Sequence, residues 1–326
     1  MSRASAAVVL VFVLVAGVAA YGASENGVDA GSFVRDGVGS RAFGFAGAFV
    51  AIADDASATI WNPAGLVQLE GANLSAMHTN RFGQDISYQF IAATLTPGEF
   101  GLGISMARSS IDEIPFYGEE GEGFFSETQT MMVGSVGYDV GRFLDLGSEL
   151  SVDVFVGANG KVFTHRILEG RAGGLGLDVS VLSRIRFNWG DLCFGYTSRD
   201  VGGTKIKWTG TDHNPVNNVP WIHSLGVSTT VLDGDVLLAA DVDVAPGREH
   251  LNRLHLGGEY RPLEGFTARG GVVLHEGGMR FAYGGSVHVG RLVLDYAYVP
   301  HEALGGSHIL SLSYAFPAWW GDEEIN

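Results

Sequence analysis

The chain has 326 residues, 48 of them glycine and only 9 proline, with 17% charged residues and a formal net charge of −16. A composition this apolar and aromatic excludes a disordered chain, and the acidic balance excludes nucleic acid as a partner, because a phosphate backbone requires a basic surface. The single cysteine, Cys193, excludes an intrachain disulfide and a cysteine-rich metal site; it lies on the polar parity of its strand and reads as a small filler.

In chain order, residues 1–23 read as a secretory signal peptide. Arg3 supplies the charge, Ala6 to Val18 the apolar stretch, and small residues follow, with cleavage after Ala20 or Ala23. No cysteine follows that would take a lipid anchor. The best later apolar run, Ala42 to Ala53, is about a dozen residues and ends at Asp54-Asp55, short of the roughly 18 that a spanning helix needs.

Residues 24–71 do not alternate. Gly37, Gly39, Gly44 and Gly47, with Ala42, Ala46, Ala48 and Ala51, make a narrow chain from which Phe43, Phe45 and Phe49 project. Asp54 or Asp55 can cap a short helix, and Asn62 before Pro63 cannot continue it. Asn62 as N-cap, with Pro63 at the first helical position and Ala64-Gly65 after it, starts a second short turn.

From Asn73 the polarity alternates with period two. The pattern predicts strands over 72–79, 85–96, 99–108, 127–139, 149–163, 173–188, 191–198, 219–231, 235–244, 252–261, 265–275, 279–289, 291–299 and 307–316. The stretch from Leu225 to Tyr260 is the clearest. Leu225, Val227, Thr229 and Val231 run into the Asp233-Gly234 hairpin signal, and Val236, Leu238, Ala240, Val242 and Val244 return opposite Asp235, Asp241 and Asp243. The fold class expected is all-β, a 14-stranded antiparallel transmembrane barrel with apolar residues toward lipid and polar residues toward a lumen, and with an N-terminal plug. The connections support a barrel over a sandwich. Tight turns at Pro97-Gly98, Trp189-Gly190, Asp233-Gly234, Leu263-Glu264 and Val289-Gly290 alternate with longer loops, among them Ser109–Ser126 and Arg199–Asn218; Val140–Ser148 is the one long member of the tight set.

Leu310, Leu312, Tyr314 and Phe316 share a parity in the last strand and end it on an aromatic. This resembles the C-terminal targeting strand that the barrel assembly machinery of bacterial outer membranes reads. Pro317 to Asn326 then form a periplasmic tail carrying Trp319-Trp320. The expected organisation is signal peptide 1–23, plug 24–71, barrel 72–316 and tail 317–326.

The stretch Gly39–Ala58, followed by Trp61-Asn62-Pro63-Ala64-Gly65-Leu66, is similar to the PorV/PorQ group within the FadL-like outer-membrane superfamily. The match is dense over about 30 residues, and the barrel matches only in pattern and strand number. The resemblance implies a 14-stranded barrel whose N-terminal segment folds into the lumen as a hatch. It implies two different functions. FadL-type members pass fatty acids and other hydrophobic solutes, whereas PorV and PorQ members serve the type IX secretion system by holding or passing cargo at the surface.

Other chemistry finds little support. His165, His255, His275 and His288 show no ligand spacing and read as polar lining. Asp241 and Asp243 lack a third carboxylate for calcium and read as a solvated rim. Gly173-Gly174-Leu175-Gly176 has phosphate-loop glycines but no following helix. The stretch Ile111–Phe125 mixes Phe116, Tyr117, Phe124 and Phe125 with Asp112, Glu113 and Glu122 and is expected to be a loop, either a capture site for solute or cargo or a lid over the barrel mouth. The expectation is a non-enzymatic protein without metal or cofactor in the outer membrane of a diderm bacterium. Its expected partners are outer-membrane lipid, the assembly machinery, and a hydrophobic small molecule or exported cargo.

Overall fold

The computed structural model describes residues 32–35, 37–118, 121–141, 151–211, 213–301 and 303–317. The signal-peptide region, most of the 140–150 connection and Trp319-Trp320 lie outside the described residues. Three short helices come first, α1 (Ser32–Arg35), α2 (Ser40–Gly44) and α3 (Ala58–Trp61), and then a 3₁₀ turn at Pro63–Gln68. The strands are β1 (Gly71–Arg81), β2 (Ile86–Thr96), β3 (Phe100–Gly118), β4 (Gly121–Asp139), β5 (Ser151–Ile167), β6 (Gly170–Phe187), β7 (Gly190–Arg199), β8 (Thr204–Thr209), β9 (Val216–Val219) and β10 (Ile222–Val231). They continue as β11 (Val236–Val244), β12 (Arg253–Leu263), β13 (Phe266–His275), β14 (Gly278–Val289), β15 (Leu292–His301) and β16 (Gly305–Phe316).

All strands but β8 and β9 form one antiparallel ring, so sixteen less two leaves fourteen. Chain neighbours pair throughout the ring, β7 pairs with β10, and β1 closes on β16 with Leu74 opposite Tyr314 and His78 opposite Leu310. Closure leaves no open sheet edge around the ring, which is the requirement for a sheet that crosses a bilayer. Burial alternates accordingly. Leu238, Val242, Leu256 and Leu294 point outward and are exposed, while Ala239, Asp241, His255 and Asp295 point inward and are buried. An outward belt of this kind runs round the wall, and a soluble monomer does not carry so extended an apolar surface.

The wall is uneven in height. The tight turns lie at one end, with Leu232, Asp233 and Gly234 all at positive φ in the β10–β11 hairpin. At the other end β3 and β4 each have 19 residues and β5 and β6 have 17 and 18, against 10 to 12 for β12 to β16. The stretch Ile111–Phe125 is therefore not a loop but the upper part of the β3–β4 hairpin. A register shift between Ile111 and Ile114, with Glu113 at φ 56°, breaks the alternation there, which is why the sequence pattern looked irregular. The expected Arg199–Asn218 loop likewise contains a hairpin. β8 continues β7 along β6, with Gly173 opposite Lys207, and β9 returns against it. The predicted strand 219–231 is thus split into β9 and β10.

Candidate functional site

The interior is occupied by the chain's own N-terminal segment, residues 37–69. Its side chains and backbone touch inward-facing residues of strands all round the ring, and the lumen is the only place where one segment can do so. Room is made by inward glycines at Gly101, Gly137, Gly157, Gly195, Gly226, Gly257, Gly271 and Gly284. A Cβ on Gly137 would lie 2.7 Å from the Pro63 carbonyl oxygen, and one on Gly271 would lie 2.6 Å from the Phe45 carbonyl carbon. No larger residue fits either position with the segment in place. Eight of the chain's 48 glycines are explained by this close approach.

Short helices suit the task, because each turn exposes backbone groups that the wall can satisfy. The wall supplies them from polar inward positions. Asp241 Oδ2 accepts from the amides of both Phe49 and Val50 at 2.7 Å. Ser228 donates to the Ala51 carbonyl at 3.0 Å, Thr197 to Trp61 at 3.1 Å, Asn159 to Thr59 at 3.0 Å and Thr96 to Leu66 at 3.1 Å. His255 Nδ1 lies 2.7 Å from the Ala46 carbonyl oxygen. Apolar packing fills the remainder, with Phe45, Phe49 and Trp61 in one aromatic cluster.

The motif residues fall within this segment. Asn62 is fully buried; its Oδ1 accepts from Ala64 N at 3.1 Å and its Nδ2 donates to the Val50 carbonyl at 2.8 Å. Pro63 opens the 3₁₀ turn, Ala64 N also donates to Ser180 Oγ at 3.1 Å, and Gly65 lies against Ala53. Neither aspartate is the N-cap of α3, which is Ser57 without a side-chain cap bond. Instead Asp55 Oδ1 accepts from Ser57 N at 2.8 Å and Ser57 Oγ at 2.5 Å, forming the bend before the helix. Asp54 pairs with Arg41. Burial pushes the Asp55 carboxyl up, opposed by Arg41; burial alone would lower Arg41, but Asp54, Glu259 and Asp55 hold it above its ordinary range.

Three ion-pair clusters line the wall, and sequence pattern did not resolve them. Lys161 Nζ lies 2.6 Å from Asp178 and 2.7 Å from Asp200. Arg199 holds Asp243 at 2.9 Å. Arg269 holds Glu259 at 2.6 Å and Asp295 at 2.8 Å, and Arg41 from the segment reaches the same Glu259 at 3.2 Å. Asp241 and Asp243 are consequently not a solvated rim; Asp241 is 2% exposed. The parity of these residues and a plug in the lumen were legible, but which wall residues the plug would bury and which ions would pair was not. Among the described residues no group of three or more His, Cys, Asp or Glu side chains can hold a metal. Of the histidines, His165 pairs with Glu127 at 2.8 Å, His275 bonds the Gly277 amide at 3.1 Å, and His288 is exposed. Cys193 is a buried inward residue, and Gly173 to Gly176 lie within β6.

With the segment in place, a cavity of about 60 Å³ remains between it and the upper parts of β1 and β12–β16, beside Phe43, Trp61, Arg81, His255 and Phe281. Small-molecule sites run to several hundred Å³. The β3–β4 hairpin stands above the rim elsewhere on the ring. Register puts Ile114, Phe116 and Phe125 on its inner face, and Tyr117 and Phe124 on its outer face at 75% and 74% exposure. Leu310, Leu312, Tyr314 and Phe316 lie on the outer face of β16, with Phe316 opposite Ala72 at the seam and the Tyr314 and Phe316 rings 4.6 Å apart.

The profile of an uncharacterised protein family, UPF0164, matches residues 32–155, which hold the luminal segment and the strands from β1 into β5. No curated protein matches the chain. Solved structures do. The Ralstonia pickettii toluene transporter TbuX has a TM-score of 0.52 at 14% identity, covering 87% of this chain and 100% of its own. The Pseudomonas putida toluene transporter TodX has 0.52 at 11%, covering 86% and 99%. The monoaromatic hydrocarbon channel CymD has 0.51 at 12%, covering 86% and 98%. These likenesses establish the fold: the chain is a closed 14-stranded membrane β-barrel of the architecture that those transporters share.

Proposed function

We propose that this barrel resides in the outer membrane of a diderm bacterium and passes hydrophobic small molecules of fatty-acid-like character, with the luminal segment as its gate. The observation that carries the reading is a barrel of the hydrocarbon-transporter fold whose lumen is filled by a segment made of short turns. The 60 Å³ cavity cannot hold such a solute, so passage requires the segment to shift. The inner face of the hairpin, with Ile114, Phe116 and Phe125, is the apolar surface that a solute meets before the lumen. No reaction is assigned to the chain. Its partners are the membrane lipid, the machinery that inserts it and the solute itself.

A second reading, that of a PorV/PorQ-like secretion component, is favoured by Tyr117 and Phe124, which face away from the mouth and suit contact with an exported protein. One experiment separates the two. Uptake of fatty-acid-like compounds and surface display of cargo are measured side by side in wild type, in a deletion of 42–65 and in F116A/F125A. A channel gives raised uptake in the deletion and reduced uptake in the hairpin variant. A secretion component gives unchanged uptake and lost cargo. Unchanged uptake in all three refutes the channel.

A further inference from the structure

We infer that the outer wall of β3–β8 carries a binding site for a phosphorylated membrane lipid, its head group on a basic row and its acyl chain in a trough beneath. Cross-strand register lines up Arg108, Thr130, Thr164, Gly173 and Lys207 as one outward row. The next row toward the hairpin end places Arg166 directly opposite Arg171. Lys205 joins them from β8, and all five cations are exposed. None of the five makes a side-chain ion pair among the described residues. Like charges directly opposite on neighbouring strands are destabilising unless an anion lies between them. In a chain of net charge −16, two neighbouring outward rows that hold four cations and no acid are not a composition effect.

The position of the row identifies the anion's source. Immediately below it, Met106, Met132, Val162 and Leu175 form an apolar outward row, with Leu175 77% exposed. Below that, Gly134 and Gly160 sit side by side between Ile104 and Leu177, and the missing side chains leave a groove of about 630 Å³ in the outer wall. Gly160 to Thr164 is four residues, about 13 Å along the strand, a length over which an acyl chain runs down from its head group. A basic row set directly above an apolar row and trough on the same strands matches a head group above its acyl chain. A free phosphate would use the row and leave the trough empty; a lipid uses both.

The test uses the full barrel in neutral detergent, with native mass spectrometry reading retention of phosphatidylglycerol against phosphatidylcholine of the same chains. The expected result is preferential retention of phosphatidylglycerol, weakened by salt. Each cation near a charged head group is worth about fivefold in affinity, so R166Q/R171Q loses about 25-fold and K205Q/K207Q, kept as the alternative should the first pair not fold, loses a similar amount. G134L/G160L fills the trough and also reduces retention. Gel mobility without heating checks that each variant is a closed barrel. Equal retention of the two lipids, or retention unchanged in both charge variants, overturns the inference. So does displacement by millimolar inorganic phosphate with the trough variant unaffected, which would make the row a free-phosphate site. Solute uptake plays no part in these readouts, so the inference stands or falls apart from the transport reading.

Discussion

The strongest test of how the luminal segment is held is Asp241→Ala. One carboxylate oxygen receives the amides of Phe49 and Val50 at 2.7 Å each, and both donors are buried. Removing the acceptor leaves two buried N–H groups without a partner, at about 1–3 kcal/mol each. The segment should therefore be loosened by about 2–6 kcal/mol, while the strand ladder is untouched because Asp241 contributes to it only through its backbone. Local opening of the segment then becomes more frequent by a factor of about 30 at the low end of that range. Amide exchange read by mass spectrometry over residues 45–53, in detergent, measures this directly. Asp241→Asn keeps one acceptor oxygen without the charge and should fall between wild type and Asp241→Ala. Unchanged exchange over 45–53 in a folded Asp241→Ala barrel refutes the claim that this carboxylate clamps the segment.

Leu238→Arg places a charge on the lipid face and should cost about 2–4 kcal/mol if it lies near the midplane, against a smaller loss for Leu238→Ala, as read by urea unfolding in lipid vesicles. Ala239 is no neutral control for that comparison, because it is 7% exposed and packed in the filled lumen. Gly271→Leu should expel the stretch around Phe45 and Ala46 from its seat against Gly271 while leaving the barrel closed; protease cleavage within 37–69 together with normal unheated gel mobility is the expected pair of results. The intact barrel should run faster on a gel before boiling than after it.

How much of this was legible in the sequence depended on whether a local pattern carried the information. Strand ends were read closely where alternation is regular, as at 265–275 against the observed Phe266–His275. The pattern failed at the β3–β4 hairpin because the bulge at Ile111–Ile114 switches parity partway. β8 was missed although its signal was present: Lys205 and Lys207 alternate with Ile206 and Trp208, outward against inward. The polar parity of Asp241, Asp243, Glu259 and Asp295 was visible, but their environment was not. Whether a lumen is wet depends on a segment about 200 residues away in sequence, and period-two reasoning contains no term for that.

That segment also decides what the buried charges are for. An ionised group in a dry interior needs partners, and the wall supplies most of them from within itself. Lys161 is neutralised by Asp178 and Asp200, Arg199 by Asp243, and Arg269 by Glu259 and Asp295. These clusters stay paired whether the segment is present or displaced. Charged wall groups that lean on it include Asp241, whose hydrogen bonds both come from Phe49 and Val50, Glu259, which Arg41 supplements, and Arg184, which donates to Gln68. If the lumen's charges had been compensated chiefly by the segment, moving it would leave several buried ions bare at several kcal/mol each. Here the cost of displacement falls on one carboxylate, on hydrogen bonds such as those from Ser228, Thr197, Asn159, Thr96 and Tyr88 to segment carbonyls, on the contacts of Ser180 with Ala64, His255 with Ala46 and Arg184 with Gln68, and on the aromatic packing around Trp61. Water entering an opened lumen can replace each of those hydrogen bonds. Arg41→Ala should accordingly leave the barrel as stable as wild type, with Glu259 still held by Arg269 and only the segment loosened. Loss of barrel closure in that variant would show that the wall's charge networks are not self-sufficient and that the segment is structural rather than a movable gate.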